Sequence, residues 1–262
     1  MLMNGNQQVG ISIALCTYNG GEYLHEQLES IVAQTLLPTE LVCCDDGSTD
    51  ETVEILDKFK QSAPFDIRIY RNETNLGPSK NFAKAVSLCE GEWIFFCDQD
   101  DRWLPDKIQL TVSKLAQMSE SSAAKTPLLV HTDAIVADNK LGEIHPSLWE
   151  FQHCYPNKGH QIGKLLNQNL VTGCTAVINQ ALRDKALPIP GGVMMHDWWF
   201  ALVASAFGKI DIVPEATIFY RQHGLNDTGA KAWGLLEALS SLLDIRNRNY
   251  ICLLYTSPSP RD

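Results

Sequence analysis

The chain has 262 residues, of which 45% are apolar and 20% are charged, a composition that excludes a disordered protein and predicts a buried core. Its 21 Lys and Arg against 31 Asp and Glu leave a net charge of -10. Nucleic acid is therefore excluded as a partner, because phosphate contacts need a basic surface. The length suits one large domain or two small ones.

Strand and helix patterns alternate along the first half of the chain. Strands are predicted at residues 11–16, 41–44, 67–70 and 93–97, and helical spacing covers residues 23–32 and 78–88. Alternation of this kind predicts a parallel sheet with right-handed crossovers, so the fold class is α/β.

The regular alternation of strand and helix patterns does not continue in the second half of the chain. Helices are predicted at residues 107–118, 198–207 and 232–249, and strands at 128–131, 175–178, 210–213 and 217–220. Residues 139–163 show little periodicity and are long for a structureless connection, so their role stays open. The last residues, 255–262, contain Ser-Pro-Ser-Pro and no core residue, and we set them aside as a disordered or artefactual tail.

Cysteine usage and hydropathy indicate the cellular compartment of the protein. The eight cysteines form no C-x-x-C pair and lie mostly in apolar runs, which favours a reduced, cytoplasmic protein. The first ten residues lack the pattern of a secretory signal, and the run 198–207 is about half of the ~20 residues that a membrane span needs. We expect the helix at 232–249 to pack on the domain; peripheral contact with the inner face of a membrane is the open alternative.

Polar clusters follow three of the predicted strands, where ligands bind in open parallel sheets. They are Thr17-Tyr18-Asn19, Asp45-Asp46 and Asp98-Gln99-Asp100-Asp101. Neither G-x-G-x-x-G nor G-x-x-x-x-G-K-[ST] follows the first strand, which argues against a dinucleotide dehydrogenase or a P-loop enzyme.

The acidic run after residue 97 is a candidate metal site. Asp98 and Asp100 point to the same side of an extended chain, and carboxylate oxygens are ligands for Mg²⁺ or Mn²⁺. The alternative is a solvated acidic turn before a helix that starts near Pro105.

These residues resemble family 2 of the inverting nucleotide-sugar glycosyltransferases with the GT-A fold, in the rhamnosyltransferase-like branch that builds bacterial surface polysaccharides. The likeness spans about the first 110 residues and continues more loosely to about residue 230. Its motifs are Thr17-Tyr18-Asn19-Gly20, Asp45-Asp46-Gly47-Ser48-Thr49-Asp50, Asn75-Leu76-Gly77 with Asn81, Asp98-Gln99-Asp100-Asp101-Arg102-Trp103-Leu104-Pro105, Thr172-Gly173-Cys174, His196-Asp197-Trp198-Trp199 and Arg221-Gln222-His223-Gly224.

The resemblance implies one GT-A domain over residues 1–230, with a mixed, mainly parallel sheet. Residues 1–110 would form its nucleotide-binding half and 111–230 its acceptor half, followed by a C-terminal helix at 231–254. The activity implied is metal-dependent, inverting transfer of a sugar from a UDP- or dTDP-sugar, dTDP-rhamnose among them, to a glycan or lipid-linked acceptor.

The resemblance also implies roles for the nucleotide side of the site. Thr17 and Tyr18 would line the base pocket, and Asp46 would accept the imide N–H of uracil or thymine. Asp45 would support that loop, and Lys80 would contact the nucleotide.

Toward the diphosphate, Asp98 would meet the ribose and Asp100 would hold Mg²⁺ or Mn²⁺. His223 matches a late histidine that reaches the metal or the phosphate; an ordinary loop histidine is the alternative. Four further histidines, at 131, 145, 153 and 160, lack ligand spacing and are assigned no metal.

The acceptor side would be served by residues 197–199. Asp197 would take the proton of the attacking hydroxyl, with a helix-capping Asp as the alternative. Trp198 and Trp199 would stack on a sugar, although helical spacing makes at least one a core residue. Family members more often carry Glu-Asp here, so the role of His196 stays open.

Two other functions remain open at this point. One is a metal-dependent phosphotransferase or nucleotidyltransferase that uses the same acidic edge. The other is a catalytically incomplete protein that binds a nucleotide-sugar without transferring it.

Overall fold

The computed structural model of the chain describes residues 3–4, 7–8, 10–156, 159–193 and 195–223. Its strands are β1 (Met3–Asn4), β2 (Gln7–Gln8), β3 (Ile11–Thr17), β4 (Glu40–Asp45), β5 (Asp66–Arg71), β6 (Trp93–Cys97), β7 (Arg102–Trp103), β8 (Leu128–Ala137), β9 (Glu143–His145), β10 (Ala176–Asn179) and β11 (Lys209–Arg221). Its helices are α1 (Gly21–Val32), α2 (Thr52–Lys60), α3 (Pro78–Leu88), α4 (Lys107–Glu120), α5 (Leu148–Phe151), α6 (Ile162–Leu165), α7 (Gln180–Ala186) and α8 (His196–Phe207).

One nine-stranded sheet organises the domain, in the order β5-β4-β3-β6-β10-β8-β11-β7, with β9 paired to β8. The first four strands in this order, β5, β4, β3 and β6, are parallel to one another, as predicted. Strand β10 then enters antiparallel between β6 and β8, and β11 runs parallel to β8. Most paired residues lie in parallel ladders, which confirms the predicted mixed, mainly parallel sheet.

Helices cover both faces of the sheet, which explains why its central strands are continuous apolar runs. Successive side chains of a strand point to opposite faces. In β3, Ile13 and Leu15 therefore pack in the layer that includes residues of α1, α2 and α4, while Ala14 and Cys16 pack in the layer that includes residues of α3, α7 and α8. All seven residues of β3 are buried.

The connection after β6 carries the acidic run across the sheet. Between this run and α4, which begins at the predicted residue 107, the short strand β7 pairs antiparallel with β11 through Trp103 and Ile218. This pairing brings the end of β11, with Arg221, beside the acidic run.

The structure corrects one prediction about the second half and gives the elements of a segment that the sequence left open. Residues 209–221 form one strand rather than two, with register shifts on either side of Ala216. Pro214, which has no N–H to donate to a ladder, lies at the first shift. The segment 139–163 contains β9, α5 and the start of α6, so it is not structureless.

No helix within the described ranges is long and apolar enough to cross a membrane. The predicted helix at 231–254 and the tail at 255–262 lie outside the described residues. The division into two halves at residue 110 stays a prediction.

Candidate active site

The polar ends of β3, β4 and β6 open into one cleft of about 330 Å³. The first half of the chain contributes Thr17, Tyr18, Asp46, Asp98 and Asp100 to its wall, and α8 contributes His196 and Asp197. The three clusters that the sequence predicts to converge therefore share one cleft.

The loop after β3 is fixed to the acidic run by a single amide side chain. The backbone N–H of Tyr18 donates to Gln99 Oε1 at 2.8 Å, and Gln99 Nε2 donates to the carbonyl of Tyr18 at 3.0 Å. A Cβ on Gly20 would stand 2.1 Å from Gln99 Oε1, so this approach requires glycine. Gln99 thus joins the predicted base pocket to the predicted metal loop, a role that the sequence analysis missed.

Asp45 is fully buried and its carboxylate is occupied by the protein itself. Its Oδ1 accepts from Thr17 Oγ1 at 3.0 Å, and its Oδ2 accepts from the N–H groups of Gly47 and Ser48 at 3.2 and 3.0 Å. This geometry fits the supporting role that was predicted for Asp45.

Asp46 reaches the cleft and also organises the segment before α3. Its Oδ1 accepts from the N–H of Leu76 at 2.8 Å and from Asn72 Nδ2 at 2.7 Å. Its Oδ2 accepts from the N–H of Gly77 at 2.9 Å. The Asn-Leu-Gly motif of the sequence therefore acts by orienting a carboxylate that faces the cleft.

Asp100 and His223 meet across 123 positions of sequence, with His223 Nε2 2.7 Å from Asp100 Oδ2. The ring of His223 stacks on Tyr23 with centroids 4.8 Å apart. Arg221, only 2% exposed, donates through Nε to the carbonyl of Asp100 at 2.7 Å and through its terminal guanidinium nitrogen to Glu26 at 2.5 Å. Asp100 and His223, the two predicted metal ligands, are thus held in contact at the end of β11.

The donor set fits a hard divalent cation. Asp100 offers carboxylate oxygen and His223 offers imidazole nitrogen, both accepted by Mn²⁺, and Mg²⁺ prefers the oxygen. The ligand atoms of Asp98, Asp101 and Cys174 form a separate group, within 4.8 Å of one another, that includes neither Asp100 nor His223. Among the described residues that line the cleft there is no Lys or Arg, so without a bound cation a diphosphate would meet several carboxylates and no cationic side chain of these two types.

Two ionisable residues close to the acidic run in sequence are buried. They are Asp101, the last residue of the run, and Lys107, the first residue of α4. Burial and the neighbouring carboxylate of Asp100 raise the pKa of Asp101. Burial lowers the pKa of Lys107 to about 8, and its Nζ lies 3.5 Å from Thr217 Oγ1 and 5.0 Å from the Trp103 ring centroid. The sequence does not identify this buried layer, because it does not tell which charged side chains lose contact with water.

Asp197 lies in the first turn of α8, whose N-cap is Met195 and not an aspartate. Its Oδ1 accepts from the N–H of Trp198 at 2.6 Å, and its Oδ2 accepts from the N–H of Gly173 at 3.0 Å. The residue is 8% exposed, and burial raises the pKa of its carboxyl to about 6. At neutral pH it is an ionised carboxylate with a higher proton affinity than an ordinary aspartate.

The structure does not bring three predicted contact residues to the cleft. The indole N–H of Trp198 donates to the carbonyl of Leu165 at 2.5 Å, and that of Trp199 to the carbonyl of Ala186 at 2.8 Å. The indole N–H groups of both residues are thus bound to the backbone of the second half of the chain. Lys80 is exposed and lines a neighbouring groove of about 280 Å³ with residues 189–193. Contact of these three residues with a ligand stays a prediction.

The chain belongs to glycosyl transferase family 2, which matches residues 12–183. It is 30% identical over 216 residues to an uncharacterized protein of Mycobacterium tuberculosis, covering 81% of this chain and 59% of that protein. It is 29% identical over 230 residues to the dTDP-rhamnosyl transferase RfbG of Shigella flexneri, covering 82% of this chain and 74% of that protein. The chain thus spans about three fifths (59%) of the mycobacterial relative.

Solved structures share the fold at low sequence identity. TarS of S. aureus in complex with UDP-GlcNAc gives a TM-score of 0.60 at 22% identity, over 89% of this chain and 64% of that one. The mannosyltransferase PcManGT from Pyrobaculum calidifontis, in complex with GDP-Man and Mn²⁺, gives a TM-score of 0.62 at 18% identity, over 86% and 59% of the two chains. These likenesses, with the family match, confirm the predicted GT-A fold.

Proposed function

We propose that the chain is a metal-dependent inverting glycosyltransferase. It moves a sugar from a UDP- or dTDP-sugar, with dTDP-rhamnose the first donor to test, to a glycan or lipid-linked acceptor of bacterial surface polysaccharide. The observation that carries the proposal is that the buried carboxylate of Asp197 opens into the same cleft as Asp46, Asp98 and Asp100. A base for the acceptor and a site for a diphosphate thus face one another.

The nucleotide end is supported by a rigid pocket. Tyr18 is held by both ends of the Gln99 amide, and Asp46 by donors from the loop before α3. Among the described residues, Oδ2 of Asp46 accepts one hydrogen bond, from Gly77, and a carboxylate oxygen has a second lone pair that would accept the imide N–H of a pyrimidine. Asp98, on the same wall, would accept from ribose hydroxyls.

The diphosphate end needs positive charge that the described lining residues do not supply. Asp100 and His223 would hold Mg²⁺ or Mn²⁺, and Arg221 keeps the backbone of Asp100 in place. The bound cation would offset the charge that grows on the leaving diphosphate. The Mn²⁺ in the PcManGT complex accords with this assignment.

Transfer with inversion is an in-line displacement. The acceptor hydroxyl oxygen forms a bond to the anomeric carbon while the bond from that carbon to the phosphate oxygen breaks, and its electron pair leaves with the nucleoside diphosphate. The hydroxyl proton passes to the carboxylate of Asp197. Hydrogen bonds from Gly173 and Trp198 fix the orientation of this carboxylate, and its pKa of about 6 makes it a stronger base than an exposed aspartate.

Thermal unfolding with UDP or dTDP, each with Mn²⁺, Mg²⁺ or EDTA, tests the donor site. At a free ligand concentration of about 100 Kd, binding adds about 2.7 kcal/mol of stability, a shift that is easily measured. A shift that needs both nucleotide and metal supports the proposal. Transfer from dTDP-rhamnose to a lipid-linked acceptor, followed by mass spectrometry, then tests the reaction. Binding without transfer would favour a catalytically incomplete protein, and the absence of any nucleotide-dependent shift in folded protein would refute the proposal.

A further inference from the structure

His196 is a buried polar residue with no partner in the described part of the protein. It is 4% exposed and contributes to the wall of the cleft, yet neither Nδ1 nor Nε2 makes a hydrogen bond there. A buried donor or acceptor without a partner destabilises a fold, so such a group calls for an explanation. The ring is neutral, because burial lowers the pKa of His196 to about 3. It therefore carries one N–H donor and one nitrogen acceptor.

The ring is held in a fixed plane by aromatic neighbours. It stacks on Phe82 with centroids 4.0 Å apart and planes inclined by 19°, and Phe96 lies against it at 5.4 Å. These contacts use the carbon faces of the rings and leave both nitrogens unsatisfied. A phenylalanine would make the same stack without that penalty, so packing alone does not explain the imidazole.

The backbone of Gly173 packs closely against the nitrogen-bearing edge of the ring. A Cβ there would stand 3.1 Å from Nε2 of His196 and 3.5 Å from Cβ of Asp197. The N–H of the same glycine donates to Asp197 Oδ2. The imidazole edge and the carboxylate proposed as base therefore flank one stretch of backbone on the cleft wall.

The aromatic support of the ring belongs to the nucleotide side of the cleft. Phe82 lies on α3, directly behind the loop that donates to Asp46, and Phe96 lies on β6, directly before the acidic run. The ring thus links Asp197 to the side of the cleft proposed for the nucleotide, and a sugar attached to the nucleotide would lie between the two.

We propose that His196 is a specificity-determining residue, whose imidazole hydrogen-bonds a hydroxyl group of the transferred sugar. A hydroxyl both donates and accepts, so it can pair with whichever nitrogen of the neutral ring faces it. This inference rests on the proposed function and adds to it a residue that recognises the sugar rather than the nucleotide.

The variant His196→Phe tests the inference, because it keeps the aromatic stack and removes both nitrogens. Isothermal titration in Mn²⁺ would compare dTDP with dTDP-rhamnose, UDP with UDP-N-acetylglucosamine, and GDP with GDP-mannose. The informative pair is the one in which the sugar strengthens binding to the unmodified protein. For the nucleotide-sugar of that pair, we expect His196→Phe to bind about tenfold more weakly, which corresponds to one hydrogen bond. Affinity for the nucleoside diphosphate and the melting temperature should not fall.

Two further variants keep the test specific. His196→Gln, which retains a donor and an acceptor, should recover part of the sugar affinity. His145→Phe is the matched control: His145 is half-buried, does not line the cleft and bonds to Ser147, so both affinities should stay unchanged.

Several results would overturn the inference. Equal losses of affinity for the nucleoside diphosphate and the nucleotide-sugar would make His196 a structural residue. Unchanged donor affinity with a raised KM for the acceptor would move the contact to the acceptor hydroxyl. If none of the three sugars increases the affinity of the unmodified protein over that for the nucleoside diphosphate, the ring does not recognise a donor sugar. Failure of every nucleoside diphosphate to bind would instead refute the proposed function itself.

Discussion

Replacing Asp197 with Asn removes one ionisable group from the wall of the cleft and keeps its size. Burial raises the pKa of this carboxyl from an ordinary 3.8 to about 6. The folded protein therefore holds the proton more tightly than the unfolded chain does, so ionisation favours unfolding. The penalty is absent below about pH 3.8, grows as the pH rises to about 6, and is constant above that. A pKa change of this size corresponds to about 3 kcal/mol.

The variant loses this pH-dependent penalty and gains a constant one. Asn places an NH₂ group against one of the two N–H donors, from Gly173 or Trp198, that now point at carboxylate oxygens. An unmade hydrogen bond of this kind costs about 1–3 kcal/mol at every pH. The absolute stabilities of the two proteins will thus be similar near neutral pH, and the informative quantity is how their difference changes with pH.

Urea unfolding of both proteins between pH 4 and 7.5 measures that difference. We expect the free energy of unfolding to shift in favour of Asp197→Asn by about 2.5 kcal/mol across this range, with most of the change below about pH 6. Asp57→Asn, the same exchange at an exposed position of α2, should leave the pH dependence unaltered. In the same series, kcat/KM of the unmodified enzyme should fall as the pH drops below about 6, and Asp197→Asn should not turn over. Parallel stability curves, or an active Asn variant, would refute the assignment of a buried base.

Three other substitutions test the rest of the site. Asp100→Asn should abolish the part of the UDP or dTDP melting shift that needs Mn²⁺, and a retained metal-dependent shift would move the ligand set elsewhere. Gln99→Ala should weaken nucleoside diphosphate binding about tenfold in a titration, because it removes both hydrogen bonds to Tyr18; unchanged affinity would mean that the loop keeps its shape without them. Gly173→Ala should lower turnover and spare nucleotide affinity, since its Cβ would press on His196 Nε2 at 3.1 Å; full activity would show that the ring has room to move.

The sequence by itself determines the parallel half of the sheet and the positions of its polar strand ends. Apolar runs such as 93–97 and helical spacing such as 78–88 are local patterns, and each becomes the element that it predicts, β6 and α3. Because parallel strands place their carboxyl ends at one edge, the sequence also predicts that Thr17, Asp46 and Asp98 share a site. Register and periodicity suffice for these inferences.

Only the tertiary structure decides the features that depend on contacts between distant segments. Strand β10 enters the sheet antiparallel, a choice made by neighbours and not by its own four residues. His131 and His160, unremarkable in sequence, meet with their Nε2 atoms 2.8 Å apart. Trp198 and Trp199 follow Asp197 directly, yet backbone carbonyls of α6 and α7 accept hydrogen bonds from their indole N–H groups.

The residues that the sequence analysis missed at the site share one physical property. Gln99 acts on a backbone 81 positions away, and the unpartnered nitrogens of His196 become visible only when its surroundings are known. Hydrogen-bond satisfaction and burial are properties of a packed environment, and a residue's identity specifies only what it can donate or accept. Local pattern thus determines where the chemistry lies along the chain, and packing determines which groups there are free to perform it.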